Sequence, residues 1–144
     1  MRVRTYSDTI ELQTQGNNDI VDITDLVRKS IERGKCGDGQ LLLFVTGSTA
    51  SLTTIEYEPG LKKDLPLALE KIAPRSGYYY HSETWHDDNG HSHVRASLIG
   101  PSLSIPVIGG TMPLGTWQQI VLIDFDTRKR NRTVTLQYIG TFLE

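Results

Sequence analysis

Apolar and polar positions change period several times along the chain. Residues 2–13 alternate weakly, which predicts an edge strand. Asn17-Asn18-Asp19 marks a turn. Ile23, Leu26, Val27, Ser30 and Ile31 then recur at three-and-four spacing, predicting a helix. Asp22 or Thr24 can cap its start, and Gly34 can end it in the left-handed conformation. After the tight turn Gly37-Asp38-Gly39 comes the apolar run Leu41–Val45, short enough to be a strand buried on both faces. Thr46–Ser51 breaks that pattern and Leu52–Ile55 resumes extended structure. Leu61, Leu65, Leu69 and Ile72 predict a second helix over 60–73, in which Pro66 must lie in the first turn or introduce a kink. Residues 102–108, 111–125 and 132–139 read as strands, so the second half is expected to be a largely β meander.

Strands and helices in this order predict an α+β protein with two main, segregated helices rather than alternating βαβ units. The 144 residues suit one domain spanning 1–144 with a sizeable core. A net charge of −2 supplies no general field for nucleic acid or an anionic membrane. The N-terminus has no apolar segment of the secretory kind, and no run approaches the ~20 apolar residues needed to cross a bilayer. Cytoplasmic residence is therefore expected. Cys36 is the single cysteine, which excludes an intrachain disulfide and disfavours zinc–thiolate chemistry.

All four histidines fall in one window, His81-Ser-Glu-Thr-Trp-His86-Asp-Asp-Asn-Gly-His91-Ser-His93. Imidazole is the commonest metal ligand and titrates near neutral pH, so the window is the candidate metal or acid–base site. In a strand His91 and His93 share one face; in a helix they lie ~200° apart. Asp87 or Asp88 could hold a histidine's second nitrogen or act as general base. The spacing matches neither a zinc finger nor HExxH.

Other groups have both a functional and a bland reading. Thr46–Ser51 can present N–H groups and hydroxyls to an anion, or be a plain strand-end turn. Arg95 can reach a phosphate or simply face solvent. Trp117 reads as core or subunit interface, and Gln118 or Gln119 as lining a polar pocket. Arg128-Lys-Arg130-Asn-Arg132 lacks interleaved aromatics, which favours a solvated turn over an RNA site.

Three blocks resemble the YjbQ-like (UPF0047) family, and the resemblance spans almost the whole chain. The first is Leu41–Glu56 followed by Asp64. The second is Tyr80-His81, Asp87-Asp88-Asn89 and Ser92–Gly100. The third is Ile105-Pro106-Val107, Gly110 and Gly115-Thr116-Trp117-Gln118, ending in Arg132 and Gly140. The resemblance implies a compact fold with a two-sheet antiparallel β-sandwich, a homotrimer, and a secondary thiamine-phosphate synthase activity. That reaction joins a pyrimidine pyrophosphate to a thiazole phosphate. His81, Asp88 and His93 would be catalytic. Ser48, Thr49, Asn89, Arg95, Thr116 and Gln118 would bind substrate or cofactor. Family members commonly carry a histidine where this chain has Gly47, a departure for which His86 or His91 is expected to compensate.

The leading expectation is a trimeric enzyme acting on a phosphorylated small molecule. It would use a divalent ion, zinc or magnesium, held by His81, His86, His91 and His93, without nucleic-acid or membrane partners. The alternative is a non-enzymatic trimer that binds a metal or small ligand.

Overall fold

The computed structural model describes residues 2–144. Strands β1 (Arg4–Thr14), β3 (Cys36–Val45), β5 (Ser102–Val107) and β7 (Arg130–Phe142) form one antiparallel sheet in the order β1-β7-β3-β5. Strands β2 (Asp19–Asp22), β4 (Ala50–Glu56) and β6 (Gln118–Asp124) form a second, in the order β2-β6-β4. The helices are α1 (Thr24–Arg33), α2 (Leu61–Ile72), α3 (Tyr80–Trp85) and α4 (Gly90–Ile99).

Side-chain alternation builds two apolar layers. Leu41, Leu43 and Val45 of β3 and Val134, Leu136 and Tyr138 of β7 meet Leu52, Ile120 and Leu122 of the second sheet. Ile23, Val27 and Ile31 of the first helical segment join the same core. The other face of β6, Val121 and Ile123, packs with Leu69 of α2 and Ala96 of α4. β6 is thus buried on both faces, and its C-terminal end is held inside the molecule.

Several expectations are corrected. There are four helices among the described residues, because the histidine window itself forms α3 and α4. The last strands are no meander: β5 pairs with β3, β6 with β2 and β4, and β7 inserts between β1 and β3. The predicted strand over 111–125 shrinks to Gln118–Asp124, since Pro113 has no N–H to offer a ladder. Pro66 lies past the first turn of α2. Gly34 is right-handed at φ −76°, and Lys35 takes the left-handed turn at φ 52°. Glycine is needed at 34 for a different reason, because a Cβ there would meet the Tyr6 ring at 2.6 Å.

The run Leu41–Val45 is buried on one face only. Leu42 and Phe44 point outward, 40% and 45% exposed, beside Ile139 at 51%. Their neighbours across the sheet include Ser102, Ser104, Thr135 and Gln137. No helix among the described residues is long and apolar enough to cross a membrane.

Candidate functional site

β6 delivers Asp124, and the chain continues through Phe125 to Asp126 before turning back into β7 at Arg130. Both carboxylates are buried, at 0% and 1% exposure. Such charges require partners. The Arg132 guanidinium donates to Asp124 through Nε at 2.7 Å and Nη2 at 2.9 Å. Thr14 donates its hydroxyl to Asp124 at 2.5 Å. Arg130 Nε donates to Asp126 at 2.8 Å and Thr49 Oγ1 donates to it at 3.1 Å. Burial alone would raise the Asp126 pKa, but the Thr127 N–H, Arg130 and Thr49 together hold it below the usual carboxylate range.

The histidine window lies over this network. Ser92 on α4 donates its hydroxyl to the Phe125 carbonyl, fixing the helix against the end of β6. One face of α4 carries His93, which meets His81 of α3 with ring centroids 4.3 Å apart. His81 Nε2 lies 3.3 Å from Asp87. Asn89, buried at the start of α4, sits between them. With its amide nitrogen turned toward them it donates to His81 Nε2 at 3.1 Å and to Asp87 at 3.0 and 3.1 Å. The opposite orientation sets the amide oxygen against Asp87, leaving it a 3.1 Å contact with His81 Nε2 and the amide nitrogen a 3.4 Å contact with Asp126; the first orientation gives the amide nitrogen acceptors on both His81 and Asp87 and is the stable one. His93 titrates below its ordinary range because it is half-buried and His81 is beside it; Asp126, Asp87 and the Ser48 main chain push the other way.

The four histidines do not form one ligand set. His86 is the exposed left-handed residue closing α3, at φ 56°. His91, two positions before His93 on a helix, faces the other way and is buried, with no partner for Nδ1 among the described residues. Burial and the nearby Arg95 and Arg75 depress its pKa. Among the described residues no three of His, Cys, Asp and Glu converge closely enough to hold a metal ion unaided.

The remaining expected residues divide. Ser48 is exposed in the turn beside His93. Thr49 is committed inside, accepting from Arg132 Nη2 at 2.6 Å while donating to Asp126. Asp88 accepts from the Thr127 hydroxyl at 2.9 Å, and the carboxylate at His81 is Asp87. Arg95 is neither a phosphate ligand nor solvent-facing. It is 2% exposed, and its nitrogens reach the Ala73 carbonyl at 3.0 Å, Asn18 at 3.0 Å and Glu70 at 2.5 Å. Gln118 bonds to Gly115 and Thr54 at the opposite end of β6, ~20 Å along the strand from Asp124 at ~3.3 Å per residue, and Thr116 lies there too.

Sequence reasoning passed over Asp124 and Asp126, and read Arg130 and Arg132 as a solvated turn. A usable signal was present. Asp-Phe-Asp ends one strand and Arg-Asn-Arg opens the next, each pair at the two-residue period that puts side chains on one face.

The comparisons agree with this architecture. A solved Sulfolobus solfataricus structure, described as a YbjQ-like protein of unknown function, superposes with a TM-score of 0.91 at 32% identity, covering 97% of this chain and 100% of that one. A hypothetical protein from Aeropyrum pernix gives 0.87 at 31% identity, covering 94% and 99%. A UPF0047 protein of Methanothermobacter thermautotrophicus is 34% identical over 138 residues, 96% of this chain and 94% of its own length. The family described as UPF0047 protein YjbQ-like matches residues 8–141. By sequence and by fold alike, the chain belongs to the YjbQ-like UPF0047 family.

Proposed function

We propose that the protein is an enzyme acting on phosphorylated small molecules at the His81–His93 pocket. The carrying observation is the juxtaposition of two imidazoles, 4.3 Å between centroids, with Asn89 bridging His81 Nε2 to Asp87. Two such rings cannot both be protonated cheaply, so near neutral pH the pair offers one proton acceptor beside one potential donor. His93, favoured in its neutral form by burial and the neighbouring His81, is the proton acceptor, and Asn89, itself held by Asp87, fixes the orientation of His81.

The surroundings favour a cation accompanying the substrate. Asp124 and Asp126 are paired with Arg132 and Arg130, whereas Asp87 and Asp88 have no arginine or lysine partner among the described residues, so local charge is negative. A phosphate alone would be repelled. The donor set is too sparse for a zinc ion held by protein groups alone, but fits magnesium, which commonly binds through one or two carboxylates, waters and substrate phosphate oxygens. Asp87 would be the protein ligand, and the ion would neutralise charge on the phosphate.

Thiamine-phosphate synthesis is the named candidate reaction, on the strength of the family resemblance. The assembly in this reading is a homotrimer in the cytoplasm. The outward face of the first sheet supports association with further copies: Leu42, Phe44 and Ile139 lie exposed among uncharged Ser, Thr and Gln side chains. Trp117, 70% exposed, adds a second apolar feature. Thr116 and Gln118 lie too far along β6 to join their own chain's histidines, so their substrate-binding role requires a site shared between copies.

The test is turnover of a pyrimidine pyrophosphate with a thiazole phosphate, and of a panel of phosphate esters, each with Mg²⁺. His81→Ala and His93→Ala are each expected to lower kcat by about 100-fold or more with the fold intact. Undiminished turnover in both variants removes the dyad from the chemistry.

A further inference from the structure

Gly47 opens the hydroxyl-rich turn at φ +122°, and a Cβ built there would lie 2.5 Å from Arg132 Nη1. The guanidinium therefore occupies the space that any side chain at 47 would claim. Arg132 is 93% buried by its 7% exposure, and its Nε and Nη2 are consumed by Asp124 and Thr49. Nη1 is different. It has no hydrogen-bond acceptor among the described residues, yet it is not one of the enclosed unsatisfied atoms, so it opens to the surface under Gly47. The same turn continues through exposed Ser48, whose main chain lies beside His93. One three-residue turn thus links the free edge of a buried guanidinium to the histidine pair.

We infer that Gly47 is a window through which Arg132 Nη1 binds an anionic oxygen of the ligand, a phosphoryl group in the first instance. The inference rests on the phosphate reading of the histidine pocket and specifies its anchor. Arg132 is pre-organised for the task, because its Asp124 fork and the Thr49 hydroxyl fix the guanidinium before any ligand arrives. Since Asp124 already answers its charge, Nη1 contributes a directed hydrogen bond more than long-range attraction, and binding should depend only weakly on salt.

Inorganic phosphate, titrated calorimetrically with and without Mg²⁺, is the probe. Gly47→Ala pushes a methyl into Nη1 and should weaken phosphate binding about tenfold or more, the scale of one charge-assisted hydrogen bond. Arg132→Lys, which keeps a cation for Asp124 but has no Nη1, should give the same loss. Gly100→Ala is the control: it carries a similar positive-φ penalty at +98° with nothing within 4 Å of the new methyl, and should bind as wild type does. Unchanged affinity in Gly47→Ala, or no phosphate binding by wild type, overturns the anchor. Turnover lost in the histidine variants with affinity unchanged in Gly47→Ala would retain the dyad and reject the anchor. Affinity lost in Gly47→Ala with no turnover on any ester would retain the anchor and reject the enzyme.

Discussion

The two buried arginines, Arg95 and Arg132, are both hidden and both paired with a carboxylate, and differ in what they leave open. Arg95 reaches across from α4 to Glu70, to the Ala73 carbonyl beyond α2 and to Asn18 in the turn before β2. Each of its three nitrogens has a protein acceptor, so it acts as a clasp between helix, helix and turn. Arg132 joins β7 to the end of β6, but one nitrogen is left facing the surface beside the candidate site. Burial and charge do not separate a structural arginine from a binding one. The occupancy of the guanidinium's last nitrogen does.

The comparison breaks most visibly at Asp124. Asp124→Asn leaves Arg132 without its buried counter-charge, and should cost about 3–5 kcal/mol in denaturant unfolding. A loss below ~1 kcal/mol would mean that Asp126, 3.9 Å from Nη2, takes over the pairing. Arg95→Met removes the clasp while keeping an apolar stem, and should cost about 2–3 kcal/mol, because the Ala73 carbonyl loses a buried donor. Its phosphate affinity should remain that of wild type at a temperature where both are folded. A parallel loss of affinity would place Arg95 in the binding site after all.

Acid unfolding gives the smallest and most local effects. His93 and His91 have folded pKa values below the ordinary 6.5, so both favour the neutral form in the native state. The unfolded chain then binds more protons, and stability should begin to fall as pH drops below about 6.5. Asp8 behaves likewise at lower pH. Its carboxyl is pulled down to about 2 by the Ser30 hydroxyl and Arg33. Its contribution is complete above the unfolded value near 3.8 and disappears as pH falls toward 2. The pair is open to solvent, which screens it and keeps the effect small. Asp8→Asn should abolish this lower step and leave the histidine step in place. A wild-type acid profile in that variant would show that Asp8 does not tie α1 to β1.

The residues made α1, α2 and the strand character of β7 legible through their periodicity, whereas β3 was legible only over Leu41–Val45: the expected turn Gly37-Asp38-Gly39 belongs to the strand, and the continuous apolar run hid that one of its faces is exposed. Helices α3 and α4 were not legible. Their stretch is short and polar, and what holds α4 helical is tertiary: Ser92 on Phe125 and Arg95 on Glu70. The clustering of histidines singled out a stretch in which the fold brings only His81 and His93 together, so linear proximity was misread as convergence. Once His91 and His93 sit on a helix, two residues of separation puts them on different faces.

By itself the sequence determined which positions are apolar and at what period, and hence the α+β class, while its three motif blocks marked the family. Only the tertiary structure decided strand order, because pairing partners such as β7 with β1 are more than a hundred residues apart and no local period encodes them. It alone decided that Asp124 and Asp126 are buried, that Arg95 is consumed and that Arg132 keeps one nitrogen free under Gly47. A charged side chain's role depends on how many of its hydrogen bonds the fold satisfies, and that is settled only when distant segments meet.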